Sequence, residues 1–260
     1  MFDPIKKLWD ARDLIQAWTG RTLRARYQQS ALGWLWAIIQ PTAQVILFAI
    51  IFTRFVPVNT GNTPYIIFSY AAMAPWAFLA SSLADMSSSI VNNMSLVTKI
   101  YFPREVLPVS AMLARLMDFG LAAGLLIVLI VFFQMPIFPI GWLFLPIVLV
   151  IQVTLMLGLG LALAAANVYY RDVQSLLTLV VQLWFYASPI IYPVTVVPEN
   201  LRPFYFLNPM AGILEAYRDV LLSGQLPGSY LMMSAFVSLV IFLLGYWFFK
   251  RVEFLFADIV

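Results

Sequence analysis

The sequence predicts an all-α integral membrane protein, a single transmembrane domain over residues 1–260 with six spanning helices. Three observations predict it. Apolar residues make up 63% of the 260 residues and charged residues only 10%, against about 25% charged in soluble domains. Charge-poor stretches of about 20 residues, the length that crosses a bilayer, recur along the chain. Lys and Arg gather in alternate connecting segments, the bias that orients membrane proteins. Cysteine and histidine are both absent. That excludes disulfides, thiol catalysis and thiolate metal sites, and removes the commonest general base.

Residues 1–30 form the first element, an amphipathic helix lying in the membrane interface. Asp3 can cap it and Pro4 suits its first turn. Ile5, Leu8, Trp9, Ile15 and Trp18 recur at helical spacing, opposite Lys6, Lys7, Asp10, Asp13 and Gln16, a pattern that places a helix along the surface. The polar start argues against a cleavable signal peptide.

The spans follow at 31–52, 65–91, 107–134, 142–166, 173–193 and 230–249. Between Phe119 and Tyr170 there is no charge. That is too long for one helix, and the prolines of "QMPIFPIG" (Gln134–Gly141) supply the break. Segment 92–106 is charged and compact, holding Lys99, Arg104, Tyr101, Phe102 and Pro103. Segment 195–229 is too charged to cross. Asn208 and Pro209 open a helix there and Gly224 can close it, so it reads as an outer re-entrant helical segment.

Six spans place both termini on one side. With that side cytoplasmic, Lys6, Lys7, Arg12, Arg21, Arg24, Arg26, Lys99, Arg104, Arg171, Lys250 and Arg251 lie inside, and only Arg54, Arg202 and Arg218 lie outside. The positive-inside rule selects this orientation.

Charges inside spans are costly and face a bundle interior or a cavity. Asp85 near the inner end of the second span, and Arg115 and Asp118 at similar depth in the third, are predicted to form a structural cluster. A proton relay fits less well, because Arg does not titrate. No catalytic residues and no metal ligands stand out. The chain has no GxxxxGK[ST] loop, so it cannot cradle ATP by that route. Tyr169–Val173, "YYRDV", holds an Arg–Asp pair read as structural.

The fragments form an ordered set. "TGRTLRARYQQSALGWLWAIIQP" (Thr19–Pro41), "NMSLVTKIYFPREVLP" (Asn93–Pro108), "NVYYRDV", "SPIIYP" (Ser188–Pro193), "LNPMAGILEAYRDVLLSG" and "FKRVEFLFAD" (Phe249–Asp258) together resemble the permease subunits of ABC transporters that export polysaccharides and teichoic acids. The resemblance covers nearly the whole chain. Thr22 departs from it, where an acidic residue is expected after Arg21.

The resemblance implies a homodimer in the bacterial inner membrane with two cytoplasmic ATP-binding-cassette subunits. ATP and Mg would be bound by those partners, leaving this chain without a cofactor and without an enzymatic role of its own. It implies a coupling helix in 92–106, with Ser95, Leu96, Lys99, Ile100, Tyr101, Phe102 and Arg104 meeting the ATPase. Tyr101 and Phe102 would be its packed anchors. The implied cargo is a polyprenyl-pyrophosphate-linked glycan such as O-antigen, with teichoic acid, drugs or small lipids as alternatives. Arg21, Arg24 and Arg26 are candidate pyrophosphate contacts or ordinary interface charges. Phe204, Tyr205 and Phe206 are candidate sugar-path aromatics or ordinary belt residues. Membrane lipid is a partner and nucleic acid is not. A polyprenyl-phosphate glycosyltransferase would need an acidic metal cluster, whereas Asp172, Asp258, Glu105 and Glu253 are scattered. An ion-coupled transporter would show internal repeats.

Overall fold

The computed structural model describes residues 9–28, 32–61 and 63–257, and no strand occurs among them. The expected helix start at Asp3–Leu8 and the motif's final Asp258 lie outside the described residues. We label the principal helices α1 (Arg12–Tyr27), α2 (Trp36–Ile50), α3 (Tyr65–Ser89), α4 (Met94–Val97), α5 (Val106–Phe132), α6 (Leu145–Tyr169), α7 (Val173–Tyr186), α8 (Pro209–Arg218) and α9 (Ser229–Val252). Among the described residues, five helical stretches are long and apolar enough to cross a bilayer: Gly33–Phe55, Tyr65–Ser89, Val106–Phe132, Pro139–Tyr169 and Ser229–Val252.

Helix α3 is the buried axis. Ala71, Ala72, Leu79, Leu83 and Met86 are among its residues closed off from solvent. Helices α2, α5, α6 and α8 pack around it. The outward faces of α5 and α9 stay apolar, with Val128, Phe132, Leu244 and Trp247 exposed. An apolar exterior around a packed interior suits a hydrocarbon solvent.

Helices α6 and α9 pack most extensively, and glycines allow it. A Cβ on Gly245 would lie 2.0 Å from the Gly158 carbonyl oxygen, and one on Gly158 would lie 2.5 Å from the Phe242 Cα. Small residues let membrane helices approach backbone to backbone.

Two cores result. The larger fills the membrane bundle, from Val45 and Tyr70 to Leu155 and Ile213. The smaller joins Ile90, Val97, Leu107, Ala165, Phe249 and Phe256, with Trp18 and Phe102 packed against it. It gathers α1, α4 and the start of α5 with the end of α9. Both described chain ends therefore share one end of the bundle, called here the terminal face.

Helix α7 departs from the expected 173–193 span. It has 14 residues and stops at Tyr186, about 21 Å at the α-helical rise. Pro189 accounts for this, since the residue before a proline avoids the α region. Ala187–Pro193 is irregular. Gln134, with φ 52, marks the break between α5 and α6, a left-handed helix-ending position. At α8 the Asn208 Oδ1 accepts from the Met210 N–H at 3.1 Å. A π-turn then runs from Asp219 to Ser223, and Gly224 follows in the left-handed region at φ 64.

Candidate functional site

Three arrangements carry the chemistry. The first is ionic. Arg115 Nε donates to Asp85 Oδ2 at 2.6 Å and its Nη2 to Oδ1 at 3.1 Å, a two-point contact between α5 and α3. Its Nη1 reaches Asp118 Oδ2 at 3.2 Å, one turn further along α5. Arg26 joins them from α1, donating to Asp85 at 2.6 Å and to Asp118 at 2.8 Å. Tyr27 donates to the second Asp118 oxygen. Two cations thus meet two carboxylates, and the cluster is formally neutral. Its side chains retain 13–28% exposure, so it is neither dry nor freely solvated.

The cluster stands between two cavities. One, of about 220 Å³, is lined by Trp18, Thr22, Arg26, Asp85 and Asn92. The other, of about 260 Å³, lies between α2, α3 and α5 and touches Arg115, Asp118, Gln40 and Gln44.

The second arrangement is segment 92–106. Helix α4 is one turn long, and only Val97 of it is buried. Ser95, Lys99 and Ile100 are exposed and Leu96 is half-buried. Tyr101 is 99% exposed, whereas Phe102 packs against the smaller core. The structure separates these two neighbours. The segment's base is firm. Glu105, 2% exposed, pairs with Lys250 of α9, and Lys250 also bonds Glu253 at 3.0 Å. Burial pushes the Glu253 carboxyl above its usual range, with Lys250 opposing. Arg104 lies over the Phe256 ring at 5.6 Å. A groove of about 480 Å³ runs here between Asp10, Tyr101, Glu105, Lys250 and Phe254.

The third arrangement holds the irregular Ala187–Pro193 strap. Arg218 is 4% exposed and donates to the Ile190 carbonyl at 2.8 Å and the Phe68 carbonyl at 3.2 Å. Its guanidinium carbon sits 3.7 Å from the Phe68 ring centroid, and Glu215 pairs with it at 3.4 Å. Tyr65 donates to the Ile191 carbonyl at 2.9 Å. Asn208 donates to the Ala187 carbonyl and to Ser188, and accepts from the Trp184 indole at 2.7 Å. Non-helical backbone surrounded by protein needs such partners. The sequence marked Asn208 as a helix start but gave no sign of the strap contacts of Arg218, Asn208 and Tyr65, which join segments far apart in the chain.

The remaining candidates scatter. Arg21 and Arg24 are exposed on α1, with Arg21 over the Trp18 ring at 4.5 Å. Phe204 is exposed. Tyr205 bonds the Tyr192 hydroxyl at 3.1 Å, and burial pushes its phenol above the usual range. Phe206 stacks on Tyr230 with 5.0 Å between centroids. The Tyr205 and Phe206 rings meet edge to face at 6.0 Å between centroids.

Comparison with known proteins completes the picture. Residues 13–222 match the family model described as ABC-2 type transporter. The chain is 32% identical to the O-antigen export system permease protein RfbA of Myxococcus xanthus over 241 residues, 91% of each chain. A Klebsiella pneumoniae protein of the same name is 26% identical over 248 residues, 95% of each chain. The polysialic acid transport protein KpsM of Escherichia coli is 25% identical over 230 residues, 85% of this chain and 87% of its own. Buried α-helices, an apolar exterior and a family match across most of the chain converge: this is a multi-pass membrane protein belonging to the ABC-2 type transporter family.

Proposed function

We propose that the chain is the permease of an ATP-driven exporter that moves a lipid-linked polysaccharide across the bacterial inner membrane. The observation that carries this reading is the end-to-end similarity to permeases named for O-antigen and polysialic acid. In this reading the chain crosses six times, the five long helices being joined by a crossing made of α7 and the Ala187–Pro193 strap. Asn208, Arg218 and Tyr65 pair the strap's Ala187, Ile190 and Ile191 carbonyls. The Lys/Arg bias assigns the terminal face to the cytoplasm.

Two copies and two ATPase subunits make up the working complex. Segment 92–106 is the coupling element in this reading. The exposed Tyr101 is its anchor, Lys99 and Arg104 set orientation, and the Glu105–Lys250 pair passes movement into α9. ATP binding does work by favouring one state of the permease over the other. A lipid pyrophosphate would be received by Arg21 and Arg24, which pair with no carboxylate among the described residues. Arg26 contributes little, because two carboxylates already neutralise it.

Deleting the gene in its native host tests the function. Lipid-linked glycan should accumulate inside the cell and vanish from the surface, and a plasmid copy should reverse both. Unchanged surface glycan in the deletion strain would overturn the reading.

A further inference from the structure

Helices α5 and α6 follow one another in the chain, yet each packs mainly on other helices and little on its neighbour. The gap between them holds a cavity of about 260 Å³. Small side chains leave the space: Ala71 and Ala74 of α3 and Ala123 of α5 stand on its wall. Tyr217 of α8 and Leu221 of the π-turn complete the lining. Ala71 comes about 9 Å after the start of α3 at Tyr65, so the cavity lies in the half of the bundle away from the terminal face.

The polar groups beside this cavity are used among themselves. The Tyr217 hydroxyl donates to Gln152 Oε1 at 3.0 Å, and the Gln152 amide donates to the Pro75 carbonyl at 2.7 Å. A buried water needs several polar partners, and apolar cavities of about 150 Å³ stay dry and take up apolar molecules instead. One donor is left over. The Trp142 indole lines the cavity, and its N–H is buried with no hydrogen-bond partner among the described residues, a costly state for a polar group. Access comes from the membrane side, because Ile127 and Pro146 line the cavity and are also exposed on the apolar exterior.

We infer that this cavity is a binding site for one acyl chain of a membrane phospholipid, with the chain inside and its ester end at Trp142. The cavity opens to hydrocarbon and offers nothing to water. The leftover donor calls for an acceptor at one end of an otherwise apolar molecule. A phospholipid ester carbonyl is such an acceptor, whereas a polyprenyl chain carries none along its length. The bound chain restores the contacts that an empty space forfeits. It therefore acts as part of the packing that supports Tyr217 and the outer segment around α8. This site goes beyond the export reading and does not depend on which cargo is moved.

The test places the full-length permease in bilayer discs of phosphatidylethanolamine and phosphatidylglycerol. A trace of phosphatidylethanolamine with a diazirine near the end of one acyl chain is photolysed, and labelled peptides are read by mass spectrometry. Ala71 and Ala74 are closed off from the exterior, so label on residues 71–75 reports a chain inside the cavity. Label on Phe236, exposed on α9, reports bulk lipid. Wild type should carry label at both. Ala123→Phe fills the space, and Ile127→Trp covers the mouth from an exposed position. Each should lower label on residues 71–75 several-fold and leave Phe236 label unchanged. Ile127→Trp decides the matter if Ala123→Phe lowers the yield of folded permease. Wild type without label on residues 71–75, or label that survives Ile127→Trp, would overturn the inference. Stronger label there from polyprenyl phosphate carrying the same diazirine would overturn it too, marking an isoprenoid site.

Discussion

Arg26 has one meaning in the chain and another in the fold. In sequence it is the third arginine of a basic run at the membrane surface. In space it clamps Asp85, 59 residues away, and Asp118, 92 residues away. The pairing of Asp85 with Arg115 was legible, because a charge in an apolar span must find its opposite. The share taken by Arg26 and Tyr27 was not, since nothing local tells which surface arginine turns inward. Asp85→Asn leaves two cations facing one carboxylate. It should cost about 2 kcal/mol, below the full cost of breaking a dry pair because the cluster is partly wet. Thermal unfolding in detergent measures it. Removing Arg115 as well, as Asp85→Asn with Arg115→Gln, should recover part of the loss by restoring neutrality. Arg218 is the second instructive residue. Arg218→Lys keeps the charge but cannot reach two carbonyls from one planar head. We expect a loss of about 1–3 kcal/mol for the stranded carbonyl and faster proteolysis of the Ala187–Pro193 strap.

Among elements, α6 and α9 show packing that composition only hints at. Glycines are ordinary in membrane helices, and nothing in the sequence pairs Gly158 with Gly245. The fold does, with their backbones too close for a side chain. Gly245→Ala should therefore force the helices apart and cost about 1–3 kcal/mol, read as a lower unfolding temperature. Gly120 and Gly124 on α5 have no neighbour within 4 Å of an added Cβ. Alanine at either should be neutral or slightly stabilising in the same measurement. Helix α7 teaches the opposite lesson. Hydropathy alone continues a span to Pro193, because "SPIIYP" is apolar. Backbone geometry ends the helix at Tyr186, and side chains from α3 and the two ends of α8 pair three of the strap's carbonyls.

At the scale of the molecule, the bundle holds a membrane core and a second core beside the terminal face. Segment 92–106 rests on the second. Phe102 belongs to that core, while Tyr101 projects from it, so the two neighbours test different things. Tyr101→Ala should leave unfolding unchanged and weaken binding of the partner ATPase by about 2 kcal/mol, seen as loss of co-purified ATPase. Phe102→Ala should lower stability first, through the lost contact with the Phe249–Phe256 cluster. Stable binding by the Tyr101 variant would leave the segment as a surface anchor only.

By itself the sequence determined the solvent, the helix class and the places where five long helices run. These follow from hydropathy and helix-breaking prolines, which act over a few neighbouring residues. Tertiary structure decided which charges meet, which glycines touch and where α7 stops. Each of those depends on distances between segments far apart in the chain, and local periodicity does not encode them.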